Sequence, residues 1–188
     1  VNRITDVGLL LGFPAGVLVV PGQSTAGNEM ESWAVYANAF YYLADDLELS
    51  VGLRFDHQEV TATGTAGTYS ADEWQPRVTL RKTWNPGHSS YASISRGFRG
   101  GGANPPGAPN LFYQGDSVWT YELGAKLQAF DRRLSANVAV FYNDYHDYIG
   151  PNALTPSTII DPDTGLPAGF VAINLNSGDA KSYGLEAE

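Results

Sequence analysis

From Leu47 to Phe55 the chain alternates without a break. Leu47, Leu49, Val51, Leu53 and Phe55 are apolar, while Glu48, Ser50, Gly52 and Arg54 between them are polar or small. A period of two places one set on each face of an extended strand; a helix would scatter both sets around its surface. The pattern returns three times. Trp74, Pro76, Val78 and Leu80 alternate with Gln75, Arg77, Thr79 and Arg81, and Trp119 to Ala129 alternates with Thr120, Glu122, Gly124, Lys126 and Gln128. Leu134, Ala136, Val138, Val140 and Tyr142 repeat it, although Ala139 and Phe141 blur the second face. Glu31 to Tyr42 is strand-like but less regular, and Ser89 to Arg96 is short and rich in Ser and Tyr. A chain patterned in this way is predicted to be all-β. Its 21 glycines, 11 prolines and 12% aromatic residues suit many strands joined by turns.

The connections alternate as well. Ala44-Asp45-Asp46, Asn85-Pro86-Gly87-His88 and Asp131-Arg132-Arg133 are short and carry turn residues, so each is predicted to close a hairpin. Thr61 to Ala71, Gly97 to Asp116 and Gly150 to Phe170 are long and rich in Gly, Pro, Ala and Asn. The unit is a hairpin plus a long loop, repeating about every 40–45 residues. Short turns at one end and long loops at the other are the layout of an antiparallel, up-and-down outer-membrane β-barrel. The strands reach or pass the roughly 9–11 residues that a tilted spanning strand needs. About seven strands cannot enclose a wide lumen, so the expectation is an incomplete, open arc of such a transmembrane barrel.

Charge separates the two faces. Glu48, Arg54, Arg77, Arg81, Glu122 and Lys126 share the polar parity of their strands. A basic side chain facing lipid at mid-membrane costs about 2–4 kcal/mol, so these residues belong to a wet lumen. Lys82 and Arg96 fall on the apolar parity near strand ends, where snorkelling is expected. Aromatics sort into two bands. Trp33, Trp74, Trp119, Tyr145 and Tyr148 lie near the long loops, and Tyr41, Tyr42, Trp84, Tyr91 and Phe130 near the short turns, as interfacial girdles require.

Other readings fall away. A net charge of -9 gives no Lys/Arg footprint for nucleic acid. With no cysteine, disulfide frameworks and cysteine metal sites are excluded. No segment approaches the roughly 18 apolar residues of a membrane helix. The best, Leu9 to Val20, is broken by Gly12, Pro14 and Gly16. The chain starts at Val1 without a leader and stops at Glu188 in mid-pattern, which reads as a piece cut at both ends. No cofactor, metal site or catalytic set is expected. Asp144, His146 and Asp147, and likewise Asp56, His57 and Glu59, read as solvated strand ends; Gly97 to Gly102 lacks the Lys-Ser/Thr ending of a phosphate loop.

Four segments carry a resemblance. They are Tyr91-Ala92-Ser93-Ile94-Ser95-Arg96-Gly97-Phe98-Arg99-Gly100-Gly101, Tyr121 to Lys126 followed by Phe130 to Asn137, Val140 to Asp147, and Asn176 to Glu188. In this order and spacing they resemble the barrel of TonB-dependent outer-membrane receptors. The match is good over Tyr91 to Glu188, looser over Glu31 to Leu80, and absent over Val1 to Asn28. Residues 1–28 are therefore left unassigned, as loop or strand end, and 29–188 are expected to be part of the receptor barrel.

The resemblance implies a parent barrel of twenty-two strands with an N-terminal plug in its lumen. It also implies energy from a TonB complex reached through a region not present here, and uptake of a scarce solute such as a ferric siderophore. The implied partners are outer-membrane lipid, TonB and a small iron chelate, with no nucleic acid. Phe98, Arg99, Asn104, Phe112 and Tyr113 are the loop residues best suited to grip a planar or anionic chelate at the mouth. The rival readings are a passive porin-like barrel and a soluble all-β binding module, whose apolar faces would pack on a second sheet. A hydrolytic barrel is more distant.

Overall fold

A computed structural model describes residues 5–6, 15–25, 28–62, 67–130 and 133–188. Thirteen strands follow in chain order: β1 (Thr5–Asp6), β2 (Ala15–Thr25), β3 (Asn28–Ala44), β4 (Leu47–Ala62), β5 (Thr68–Asn85), β6 (His88–Arg99), β7 (Gly102–Ala103), β8 (Phe112–Tyr113), β9 (Asp116–Ala129), β10 (Leu134–His146), β11 (Ile149–Pro156), β12 (Phe170–Asn176) and β13 (Ala180–Ala187). Nine of them form one antiparallel sheet in the order β1-β2-β3-β4-β5-β6-β9-β10-β13. β7–β8 and β11–β12 are small hairpins inserted at one end of it. The sheet is an up-and-down meander, and the described strands leave it open rather than closed on itself.

The stretch from Asn28 onward contributes seven of the nine sheet strands, the number expected from the alternation. β2 and β1 extend the sheet upstream, into residues that the sequence leaves unassigned, as loop or strand end. Val17 to Val20 is a continuous apolar run without a period. The register of β2 on β3 shifts between Val20 and Gln23, so a bulge takes up Pro21 and Gly22. Asp45–Asp46 and Pro86–Gly87 close two tight turns, with Gly87 at φ 90°. The turn at 131–132 lies outside the described residues.

Register carries the face assignment across the sheet. Ala39, Val51, Val78, Ile94, Tyr121, Tyr142 and Tyr183 are partners in one row, and Tyr41, Leu49, Leu80, Ala92, Leu123, Val140 and Leu185 in the next. On the opposite face Asn38, Gly52, Arg77, Ser95, Thr120, Asn143 and Ser182 form an equally continuous polar row. Most of the apolar rows stay exposed, Leu123 at 59% and Leu185 at 67%. Among the described residues no large side chain is fully buried, and the buried apolar set is small: Ala34, Val60, Ala62, Ile149 and Ile173. Nothing in the described residues packs as a second layer on this face, so the sheet is not half of a sandwich. An apolar face this extensive without a protein partner requires lipid as its solvent.

The thickness agrees. Trp74 and Trp84, both on the apolar face of β5, are ten residues apart. At ~3.3 Å per residue and a tilt of ~35–45° they stand about 25 Å apart along the membrane normal, the height of the apolar band of a spanning barrel. The outer girdle is built by contact: Trp33 lies 5.4 Å from Phe55, and Phe55 lies 4.7 Å from Trp74. Four aromatics assigned to the girdles belong to the other face, Tyr148 because its ring lies against Tyr145 and under Arg99. Tyr42 partners Glu48, Tyr91 partners Arg81 and Gly124, and Tyr145 follows the parity of Asn143. The sequence neighbours of these three hold the lipid-facing parity, so a band drawn by height alone misplaced them.

The two cations on the apolar parity are compensated. Lys82 is paired with the Asp46 carboxylate and lies 5.7 Å over the ring of Trp84. β5 and β6 pair only as far as Arg77 and Ser95, although both strands continue outward. Arg96 bridges the seam just above, donating to the Trp74 carbonyl at 2.7 Å and to Glu73 at 2.6 Å. The guanidinium thus ties β6 to the β5 backbone where the ladder ends.

Candidate functional site at the outer mouth

Some of the charges on the lumen face are held by local partners. Arg54 makes a two-pronged bond to Asp56, which also accepts from Gln75. Tyr91 donates to Glu122 at 2.6 Å, and its ring lies across Gly124. Phe141 covers Gly184 in the same way, 2.8 Å from where a Cβ would stand. Both glycines sit opposite an aromatic whose ring takes the space of the absent side chain.

Beyond the girdle the two inserted hairpins assemble the mouth. The first loop, between β6 and β9, folds against the inner side of β4 and β5. Gln58 donates to the Gly101 carbonyl at 3.0 Å, and the Gly115 N–H donates to the Tyr69 hydroxyl at 3.0 Å. Close approach explains the glycines: a Cβ at Gly100 would collide with Gln58, and one at Gly101 with Tyr69. The second loop, between β10 and β13, reads in the sequence only as a long connection; its arms form the β11–β12 ladder.

The five ligand-contact candidates are divided by the structure. Phe98 pairs with Ser117 on the parity of Ile94 and Arg96, the membrane side of β6. Arg99 donates to Asp116 through Nε at 2.9 Å and through Nη2, and lies 4.9 Å over the Tyr148 ring. Asp116 is 5% exposed and also accepts the Ile149 N–H at 2.9 Å. Burial pushes the Asp116 carboxyl up, but the bonds from Arg99 and Ile149 together with the Arg99 charge outweigh it and hold the group below its ordinary value. Asn104 is 5% exposed, and its amide is occupied by Asn110 and Asn174. Phe112 stacks on Tyr69 at 6.2 Å. Phe112 and Tyr113 line a cleft of about 600 Å³ with Pro109, Leu111, Gln114 and Leu175. The cleft lining contains aromatic, aliphatic and amide groups and no charged side chain.

The sequence did not single out Gln58, Tyr69, Asn174 or Asn176. Their partners lie 28 to 70 residues away, so no local motif marks them. Of the two acid–histidine clusters, His57 bonds Asp72 at 2.6 Å and stacks on Trp33, while His146 lies 3.8 Å from Asp179. Among the described residues no three His, Asp or Glu side chains gather around a common point.

An open antiparallel meander with a lipid-solvated exterior, a polar interior and outer hairpins folded inward is a wall segment of a large outer-membrane barrel. The model of the family described as "TonB dependent receptor-like, beta-barrel" matches residues 5–188. The chain belongs to that family, and its place is the outer membrane. Three solved structures are similar in fold. The ferric yersiniabactin uptake receptor FyuA of Yersinia pestis superposes with a TM-score of 0.61 at 16% identity, covering 93% of this chain and 25% of that one. The alcaligin outer-membrane receptor FauA of Bordetella pertussis gives 0.60 at 18% identity, with 92% and 31% covered. The hemophore receptor HasR of Serratia marcescens, solved with its hemophore HasA and heme, gives 0.60 at 16% identity, with 99% and 38% covered. The chain thus spans about a quarter to somewhat over a third of these receptors.

Proposed function

We propose that this chain forms part of the wall and outer mouth of a TonB-energised receptor that takes up a scarce solute, in the first instance a ferric siderophore. The observation that carries the reading is the unbroken lipid face joined by register to a polar lumen, in a chain of this family. Uptake receptors for iron chelates and a hemophore receptor share the fold, which supports the solute class without selecting within it. No catalytic role is proposed.

At the mouth, Phe112 and Tyr113 are the residues proposed to meet the solute, since they line the open cleft. Arg99 and Asn104 are committed to Asp116 and Asn174, so they shape the mouth rather than supply free charge. Contact there is through aromatic faces and amides, which suits a planar chelate better than a bare anion.

The intact receptor tests this in cells by uptake of a labelled ferric siderophore with and without TonB. TonB-dependent uptake that falls on replacing Phe112 and Tyr113 by Ala is the expected result. Uptake that persists without TonB would identify a passive porin-like barrel instead. Unchanged affinity after alanine replacement of all five candidates would remove the proposed contact site.

A further inference from the structure

The two outer loops are joined by a reciprocal pair of amide clamps. The Asn104 side chain accepts from the Asn174 N–H at 2.8 Å and donates to the Asn174 carbonyl at 3.1 Å. Asn176 does the converse: its side chain accepts from the Gln114 N–H at 2.9 Å and donates to the Gln114 carbonyl at 3.1 Å. Each asparagine thus satisfies both backbone groups of one residue on the opposite loop, as a neighbouring strand would. A backbone bond from the Thr158 N–H to the Gly107 carbonyl, 2.8 Å, adds a third tie farther out. Asp116, at the root of the first loop, accepts from the Ile149 N–H at the root of the second.

Asn104 is nearly inaccessible, so leaving its partners unpaired carries a desolvation cost as well as lost bonds. The first loop is in turn tied to the inner wall by Gln58 and Tyr69. Loops that open independently would need few buried bonds between them. Here the contacts run from the roots out to Gly107 and Thr158.

We propose that the loops spanning residues 100–115 and 148–177 are one fixed cap at the mouth, a single body tethered to the wall, and not two separately mobile flaps. Opening of the mouth then falls to the other loops of the closed barrel. The inference holds whichever solute is carried.

The test uses the intact receptor. Spin labels are introduced through Asn110→Cys and Leu154→Cys, one on each loop and Leu154 in the β11–β12 ladder, with any cysteine elsewhere in the intact receptor replaced first; this chain contributes none. A single narrow distance distribution is expected; a broad or two-peaked one in a folded barrel overturns the proposal. Hydrogen exchange supplies the second readout. Asn104→Ala should speed exchange at the Asn174 N–H by about ten-fold or more. If the cap is one body, it should also speed exchange at the Gln114 N–H, whose own clamp to Asn176 is untouched. Acceleration confined to Asn174 would mean two independent contacts and would sink the single cap. Asn104→Asp keeps the acceptor and loses both donated bonds, so it gives the same cross-effect where the alanine variant folds poorly. Heat-modifiable migration reports on the barrel and exchange on the cap, so failure of one is distinguishable from failure of the other.

Discussion

Gly124 shows how a single residue is fixed by its cross-strand neighbour. Its Cα hydrogen occupies the space over which the Tyr91 ring lies, and that ring position lets the hydroxyl reach Glu122. Gly124→Ala would force the ring aside and break that bond. A loss of about 1–3 kcal/mol is expected, read as a lower urea midpoint for the folded barrel. Adding Tyr91→Ala to it should recover part of the loss, because the two residues share one contact. Were the double variant fully additive, the steric account would be wrong. Asp116 makes a pH prediction at the same scale. Its folded pKa lies below its unfolded value, so its contribution is complete above about 3.9. The contribution is lost as pH falls below that value through the folded pKa. Protease nicking of the outer loops should therefore rise steeply only under strong acid, and Asp116→Asn should raise nicking already at neutral pH.

At the scale of the element, strand parity decides what a substitution does. Leu123 and Thr120 lie three residues apart on β9, with Leu123 facing lipid and Thr120 in the polar row. Leu123→Arg should destabilise the folded barrel by about 2–4 kcal/mol, and Thr120→Arg by much less. Denaturant midpoints in one detergent compare them directly; equal effects would contradict the face assignment. This part of the fold was legible because period two is a local property: Leu47 to Phe55 and Trp119 to Ala129 declare their faces residue by residue. The mouth was not. Asn104 looks like an ordinary loop asparagine until Asn174, 70 residues on, is brought beside it. Arg99 looks like a free cation until Asp116 is seen to take it. Arg96 looks misplaced until the strands part above Arg77 and Ser95 and leave the Trp74 carbonyl for it. Aromatic girdles fall between these cases. Height along the strand can be counted in the sequence, but near a strand end the face of Tyr42 or Tyr91 depends on which partner it meets.

For the whole molecule the decisive quantity is the unpaired edge. β13 pairs with β10 on one side, and among the described strands nothing pairs with its other side. Each unpaired N–H or C=O left in hydrocarbon costs several kcal/mol, so an arc with free edges has no stable place in a bilayer. Its apolar face, continuous across seven strands, has no stable place in water either. The two requirements are met together only when further strands close the sheet. The 188-residue chain made alone should therefore aggregate without detergent and give no heat-modifiable band when refolded into lipid vesicles. The same residues within a closed barrel should give one. A compact, soluble, monomeric product from the isolated chain would mean that the apolar rows find a protein partner of their own, and the wall reading would fail with it.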